Sequence, residues 1–266
     1  MTTNLSLMFS NPSFLNSVLV AVGVHTILLG VAWIAPKKLL TPAGLLHALF
    51  LGVLLYLSVG WQGELVVVFY FLVGSAVTYI GMAQKEAEGI AEKRSGARGP
   101  ENVWSSALTG ALCAVGIAIA TTFVAEPMTI VSLLLLGFVA SFSTKLSDTC
   151  ASEVGKAYGQ RTFLITTLQP VARGTEGAVS LEGTLAGVAG SVAIALLAWG
   201  LGLIDLLGVV WCVIAAFIAT NIESLIGATV EGKSRWLTHD VVNFLNTLIG
   251  AIAAILLALI WAIFNG

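Results

Sequence analysis

Charge is scarce in this 266-residue chain: Asp, Glu, Lys and Arg together make up 10% of it. A soluble domain of this size carries roughly a quarter. Histidine and cysteine are scarcer still, at 3 each, and Cys113, Cys150 and Cys212 show neither metal-binding nor redox spacing. That excludes a disulfide framework and a Cys/His zinc module. A formal net charge of −2 gives nucleic acid no basic face to bind, so no nucleic-acid partner is expected. The opening MTTNLSLMFSNPSF lacks a basic n-region and a small-residue cleavage site. It is expected to be neither a secretion signal nor an Arg-rich transit peptide.

Apolar residues are what the chain has in abundance, at 58%. They come in blocks of ~20, the length at which a helix crosses a bilayer's hydrocarbon. Eight such spans fall near 13–35, 39–59, 64–83, 102–124, 127–146, 181–203, 206–228 and 240–264. The expected fold is all-α: a polytopic integral membrane helix bundle of about eight transmembrane helices, one membrane domain over residues 1–266. Thr41-Pro42 and Glu126-Pro127 put proline at helix starts. Trp33, Trp61, Trp104, Trp199 and Trp261 lie near span ends, where amphipathic rings prefer to sit.

Eight crossings collect all 12 basic residues into one set of loops: Lys37 and Lys38; Lys85, Lys93, Arg94 and Arg98; Lys145, Lys156, Arg161 and Arg173; Lys233 and Arg235. The opposite loops carry only Glu64, Glu126 and Asp205. The positive-inside rule makes the basic side cytoplasmic, or its stromal equivalent, with both termini on the non-cytoplasmic side. The same side also gathers most of the acids, which orientation alone does not need. Polar segments 84–101, 147–180 and 229–239 therefore point to a site at the membrane face.

GATVEGKS, residues 227–234, matches the phosphate-binding P-loop pattern G-x-x-x-x-G-K-[ST] in full. A true P-loop needs a strand before it and a soluble helix after it. Here a spanning helix precedes it and another soon follows, so the reading is a glycine-containing turn, with Lys233 and Arg235 as inside-positive anchors.

The chemistry-bearing stretch is Ser147–Gly187. Asp148, Ser152 and Gly155 share a helical face, with Glu153 pointing elsewhere unless the helix breaks. Carboxylates at a membrane surface suit Mg²⁺, an oxygen-seeking ion that also takes substrate phosphates. Gly174 and Gly177 flank Thr175 and Glu176 beside Arg173, a pattern that lets backbone N–H groups turn on an anion. A second such turn is Gly96-Ala97-Arg98-Gly99-Pro100. Glu223, in the last two turns of span seven beside Asn221 and Ser224, is an acid at the hydrocarbon edge and marks function by default. Asn243 and Asn246 share a face at the start of span eight. His25 and His47 read as packing residues in apolar helices.

Together, GIAEKRSGARGPENVW, SDTCASEVGKAYGQRTFLITTLQPVARGTEGAVSLEGTLAG and THDVVNFLNT resemble the phytyl-phosphate kinase family of photosynthetic organisms. The resemblance covers most of residues 80–250. It implies conversion of phytyl, or a related prenyl, monophosphate to the diphosphate, for tocopherol and prenyl-quinone synthesis. A looser similarity to CTP-dependent polyprenol kinases and phosphatidate cytidylyltransferases points to CTP as nucleotide donor. Carried over by position, the family's residues are Glu92, Gly96, Arg98 and Gly99, then Asp148, Ser152, Glu153, Gly155, Lys156, Arg173, Gly174, Thr175, Glu176 and Gly177, then Asn243 and Asn246. Asp148, Glu153 and Glu223 would hold Mg²⁺, while Arg98, Lys156 and Arg173 would meet phosphates. Where the family pattern has Asp-Ser, this chain has Glu223-Ser224. A prenol kinase, a CTP:lipid-phosphate cytidylyltransferase and a transporter remain as alternatives.

Overall fold

A computed structural model describes residues 12–35, 37–230 and 237–265. Among the described residues, eight helices are long and apolar enough to cross a membrane. In chain order they are α1 (Pro12–Ile34), α2 (Pro42–Val59), α3 (Trp61–Thr78), α5 (Pro100–Phe123), α6 (Met128–Tyr158), α7 (Leu181–Gly200), α8 (Leu206–Thr229) and α9 (His239–Asn265). Between α3 and α5 lie a short helix, α4 (Met82–Ala87), and a 3₁₀ turn at Lys93–Gly96. The Lys233 and Arg235 anchors, with Gly232 and Ser234 of the P-loop-like motif, lie outside the described residues.

Helix starts follow from local chemistry. Thr41 Oγ1 accepts from Gly44 N at 3.0 Å ahead of Pro42, Ser180 Oγ from Gly183 N at 3.1 Å, and Asp205 Oδ1 from Gly208 N at 2.7 Å. Each satisfies an amide that the first helical turn leaves without a partner. The outward faces are apolar, as at Leu112, Leu196, Leu206 and Ile252, which is what hydrocarbon requires.

At the centre stands α6, packed against α3, α5, α7, α8 and α9. Phe138, Phe142 and Leu146 of α6 are fully buried. Its 31 residues span about 46 Å at 1.5 Å each, well beyond a hydrocarbon core of about 30 Å. The polar stretch expected to begin as a connection at Ser147 therefore starts as about three more helical turns, and the connection proper begins at Gly159. Small residues on α7 allow this packing: a Cβ at Gly183 would stand 2.5 Å from Ala151 O, and one at Gly187 2.9 Å from Ser147 O.

After α6 the chain forms a hairpin that the sequence reading did not contain. Strands β1 (Thr162–Leu164) and β2 (Ala178–Ser180) pair antiparallel, Thr162 opposite Ser180 and Leu164 opposite Ala178. The pairing closes the polar loop on itself and returns the chain to the α7 N-cap.

Candidate active site

Five polar segments converge at one end of the bundle around a cavity of about 270 Å³. They are the turn at residues 92–98, the extension of α6, the loop at 174–180, the end of α8 and the start of α9. Segments far apart in the chain, from Glu92 to Asn243, thus line one cavity. Among residues predicted from sequence, the cavity is lined by Glu92, Gly96 and Arg98; by Asp148, Ser152, Glu153, Gly155 and Lys156; by Gly174, Thr175, Glu176 and Gly177; and by Glu223 and Asn243.

The α6 extension supplies its centre. Lys145 Nζ donates to Asp148 Oδ2 at 2.6 Å, three residues on, and to Asn243 Oδ1 of α9. Lys145 and Asp148 are each 7% exposed. The Glu223 carboxyl, from α8, lies within hydrogen-bonding reach of the Asp148 carboxyl. Two carboxyls in that contact repel unless a proton or a cation stands between them.

Glu153 is oriented differently. The helix does not break, yet Glu153 is 1% exposed, because both its oxygens meet lysines. Oε2 accepts from Lys85 Nζ, and Oε1 from Lys156 Nζ at 3.2 Å. Lys85, on α4, is itself 1% exposed and donates to Thr78 O at the end of α3 at 2.7 Å. Lys156 Nζ also reaches Glu92 Oε1 at 3.3 Å. Burial raises the Glu92 carboxyl, but the charges of Lys156, His239 and Lys145 outweigh it, leaving it below its ordinary value of 4.5.

Arg98 closes the other side. Its backbone is clamped to the segment between α1 and α2, Arg98 N donating to Leu39 O and Thr41 N to Arg98 O, both at 3.0 Å. Nη1 donates to Tyr70 OH at 2.8 Å, and the guanidinium lies over the rings of Tyr70 and Phe71, 5.1 and 5.5 Å from their centroids. The preceding turn is tightly wound, with Arg94 and Ser95 at φ 56° and 49° and Gly96 at 86°. Across the cavity Gly177, at φ 74°, lies flush on α8. A Cβ there would stand 2.6 Å from Ser224 O, so glycine fixes the 174–177 loop beside Glu223.

Three predicted residues are placed elsewhere. Arg173 does not line the cavity: it donates to Ala157 O at 3.2 Å and Glu88 Oε1 at 2.7 Å, fastening the loop to the end of α6 and to the segment after α4. Gly99 is the N-cap of α5, its amide donating to Asn102 Oδ1 at 3.0 Å. Asn246 sits one turn deeper in α9 than Asn243, 1% exposed. Lys145, Lys85, Tyr70 and Asn102 were not anticipated as site residues. From sequence both lysines read as orientation charges, although the Lys145 to Asp148 spacing of i, i+3 is a usable signal.

A bundle of membrane-spanning helices with a charged cavity at one end defines the class, a polytopic integral membrane protein. Residues 25–251 match the family described as Integral membrane protein DUF92, and the chain belongs to it. It is 63% identical over 235 residues to the uncharacterized membrane protein sll0875 of Synechocystis, covering 88% of this chain and 89% of that one. Protein VTE6, chloroplastic, of Arabidopsis thaliana is 46% identical over 220 residues, 82% of this chain and 65% of that protein. The uncharacterized membrane protein MJ0933 of Methanocaldococcus jannaschii is 30% identical over 225 residues, 84% of this chain and 88% of that one. No solved structure matches the chain.

Proposed function

We propose that the protein is a membrane prenyl-phosphate kinase that transfers a phosphoryl group from a nucleoside triphosphate, CTP in the leading reading, to phytyl or a related prenyl monophosphate. Similarity to VTE6 and to the phytyl-phosphate kinase motifs supports the class. The observation that carries the mechanism is the Asp148–Glu223 carboxyl pair beside Lys145, Lys156 and Arg98 in one cavity. The active face is the basic, cytoplasmic one.

The acceptor is a phosphate monoester, whose second pKa is about 6, so its attacking oxygen is already ionised at neutral pH. That oxygen forms the new bond to the γ-phosphorus as the bond to the β-phosphate oxygen breaks, and the nucleoside diphosphate leaves with the electron pair. No proton has to be removed from the acceptor. The task is to hold two polyanions in line and offset their repulsion.

Among the described residues no group of three His, Cys, Asp or Glu side chains is placed to hold a metal. Two adjoining carboxyls suffice for Mg²⁺, which retains waters and takes substrate phosphates as its other ligands. Asp148 and Glu223 fit that role; Glu153, held on both oxygens by lysines, positions Lys156 instead. Bound Mg²⁺ would supply charge neutralisation on the β- and γ-oxygens. Lys145 holds Asp148 and Asn243 in place, Lys156 faces the donor phosphates, and Arg98 takes the acceptor phosphate with its planar fork. The backbone at Gly174–Gly177 flanks the nucleotide.

Purified protein incubated with phytyl monophosphate, Mg²⁺ and each γ-labelled nucleotide tests this. Label in a prenyl diphosphate, abolished by chelation and by either Asp148→Asn or Glu223→Gln, supports the reading. A CDP-linked lipid formed from CTP would overturn it in favour of cytidylyl transfer, and no turnover with any nucleotide would overturn the enzyme assignment.

A further inference from the structure

A second cavity, of about 340 Å³, lies beside the charged one, framed by α1, α2, α3 and α5. Its walls are apolar, with Leu28, Leu51, Val67 and Val103 among them. The two cavities share Tyr70, Arg98, Asn102 and Ser106. Arg98 thus marks a boundary, its guanidinium against the Tyr70 and Phe71 rings. On the charged side are Asp148, Lys145 and Lys156; on the other side is aliphatic carbon.

The far end is closed by a buried pair. Glu64, in the first turn of α3, lies roughly 9 Å along the helix from Tyr70 at 1.5 Å per residue. Its Oε1 is 3.0 Å from His25 Nε2 of α1, and His25 Nδ1 lies 2.7 Å from Ala21 O. The His25 ring seats directly against Gly52 of α2, where any Cβ would collide with it. Glycine here brings α1 close enough to form the floor.

We propose that this cavity holds the first part of the prenyl chain of the acceptor lipid, with Arg98 gripping the phosphate at the mouth and the His25–Glu64 pair limiting depth. The inference rests on the kinase reading and deepens it by assigning where the substrate's hydrocarbon goes. A volume of about 340 Å³ is within the range of small-molecule pockets, about 300–1,000 Å³. Continuity with the charged cavity through four shared residues is what favours a chain covalently joined to a phosphate. Moving such a chain out of the bilayer gives little hydrophobic gain, because lipid tails are equally apolar. The cavity acts instead by shape, fixing where the attached phosphate stands relative to the donor.

That mechanism predicts a change in chain-length discrimination rather than in overall affinity. Val67→Trp and Ala48→Phe place rings in the cavity, and Leu196→Trp on the lipid-facing side of α7 is the control. For each protein, kcat/KM is measured with phytyl monophosphate and with a five-carbon prenyl monophosphate. The filled variants are expected to lower the long-to-short ratio about tenfold, and the control to leave the ratio unchanged. An unchanged ratio in turning-over Val67→Trp and Ala48→Phe proteins overturns the tail site while leaving the kinase reading intact. A second measurement does not need turnover: a phytyl monophosphate carrying a diazirine in its tail is photolysed with the wild-type protein. Crosslinks on cavity-lining residues of α1–α3, removed by excess unlabelled phytyl monophosphate, support the site. Crosslinks spread over outward faces, or captured equally by a diazirine phospholipid that phytyl monophosphate does not displace, mark a cavity filled by bilayer lipid and refute it.

Discussion

Replacing Lys85 by methionine keeps most of the side-chain volume and removes one charge from the least exposed ion pair near the site. Lys85 and Glu153 are each 1% exposed, so the glutamate left behind cannot recover water. Removing one partner of a buried pair costs about 3–5 kcal/mol. Glu153 keeps Lys156 at 3.2 Å, which puts the expected cost near the lower bound, at about 3 kcal/mol. The Thr78 carbonyl also loses its donor, adding about 1 kcal/mol. For a chain of this size each kcal/mol lowers Tm by about 2–4 °C, so Lys85→Met should melt roughly 10 °C below the wild type. The three buried cysteines provide the assay, since a thiol-reactive fluorophore labels them only as the bundle opens. Lys85→Met/Glu153→Gln, which leaves no buried charge unpaired, should recover part of the loss, with a coupling of about 1–3 kcal/mol. If the single variant melts with the wild type, or the double variant is no more stable than the single, the pair is not the clamp between α4 and α6 described above.

Arg173→Ala should lower activity only a few-fold and stability by about 0–1 kcal/mol, because its partner Glu88 is a surface carboxylate; a loss of about a hundredfold or more would return Arg173 to the phosphate-binding set that the motif resemblance implied. Glu92 predicts a pH window. Its carboxyl is lowered in the fold from an ordinary 4.5, so the Lys156 contact contributes stability that is complete above that value and is lost as pH falls through the lower folded value. The stability difference between wild type and Glu92→Gln, measured by thiol labelling, should stay constant from neutral pH down to the ordinary carboxylate range and shrink only below it. A difference that shrinks between pH 7 and that range would contradict the lowered Glu92.

The spans were legible because hydrocarbon imposes a length and a composition that few other sequences meet; α5, α7, α8 and α9 begin within about two residues of the reading, inside the usual slack of helix boundaries. The convergence of polar loops was legible from the one-sided charge. The α6 boundary was not, because apolarity ends at Leu146 while helical hydrogen bonding does not, and only packing against the α7 glycines shows that the helix continues. The roles of the lysines were not legible either. Lys85 and Lys37 are the same residue type in the same set of loops, yet Lys85 is buried against Glu153 and Lys37 lies exposed over the Tyr79 ring. Sequence reports a charge, and only the fold reports whether water still reaches it. The motif at Arg173 identified a glycine-flanked turn but not which of its members faces the cavity.

The cavity's electrostatics single out Arg98. Lys145 is matched by Asp148, Lys156 by Glu92 and Glu153, and Arg94 by Glu101. Before substrate arrives, these pairs offer an incoming phosphate little uncompensated positive charge. Arg98 instead donates to a neutral phenol and lies over two rings. Among the described lysines and arginines that line the cavity, Arg98 and Lys93 have no carboxylate within ion-pair distance, and of the two Lys93 is solvent-exposed while Arg98 is half-buried. A phosphate reaching Arg98 therefore displaces no existing ion pair, whereas at Lys156 it must compete with two. Hydrogen bonds to a charged group contribute about 1.5–3 kcal/mol, which at 1.36 kcal/mol per factor of ten makes Arg98→Ala about 10–150-fold worse in kcat/KM. Arg98→Lys keeps the charge but loses the fork and the stacking on Tyr70, so it should recover only part of the activity. A rise in KM for the prenyl phosphate at unchanged nucleotide KM is the signature of an acceptor anchor. A rise confined to the nucleotide KM would place the donor at Arg98 and reverse the orientation of both substrates in the site.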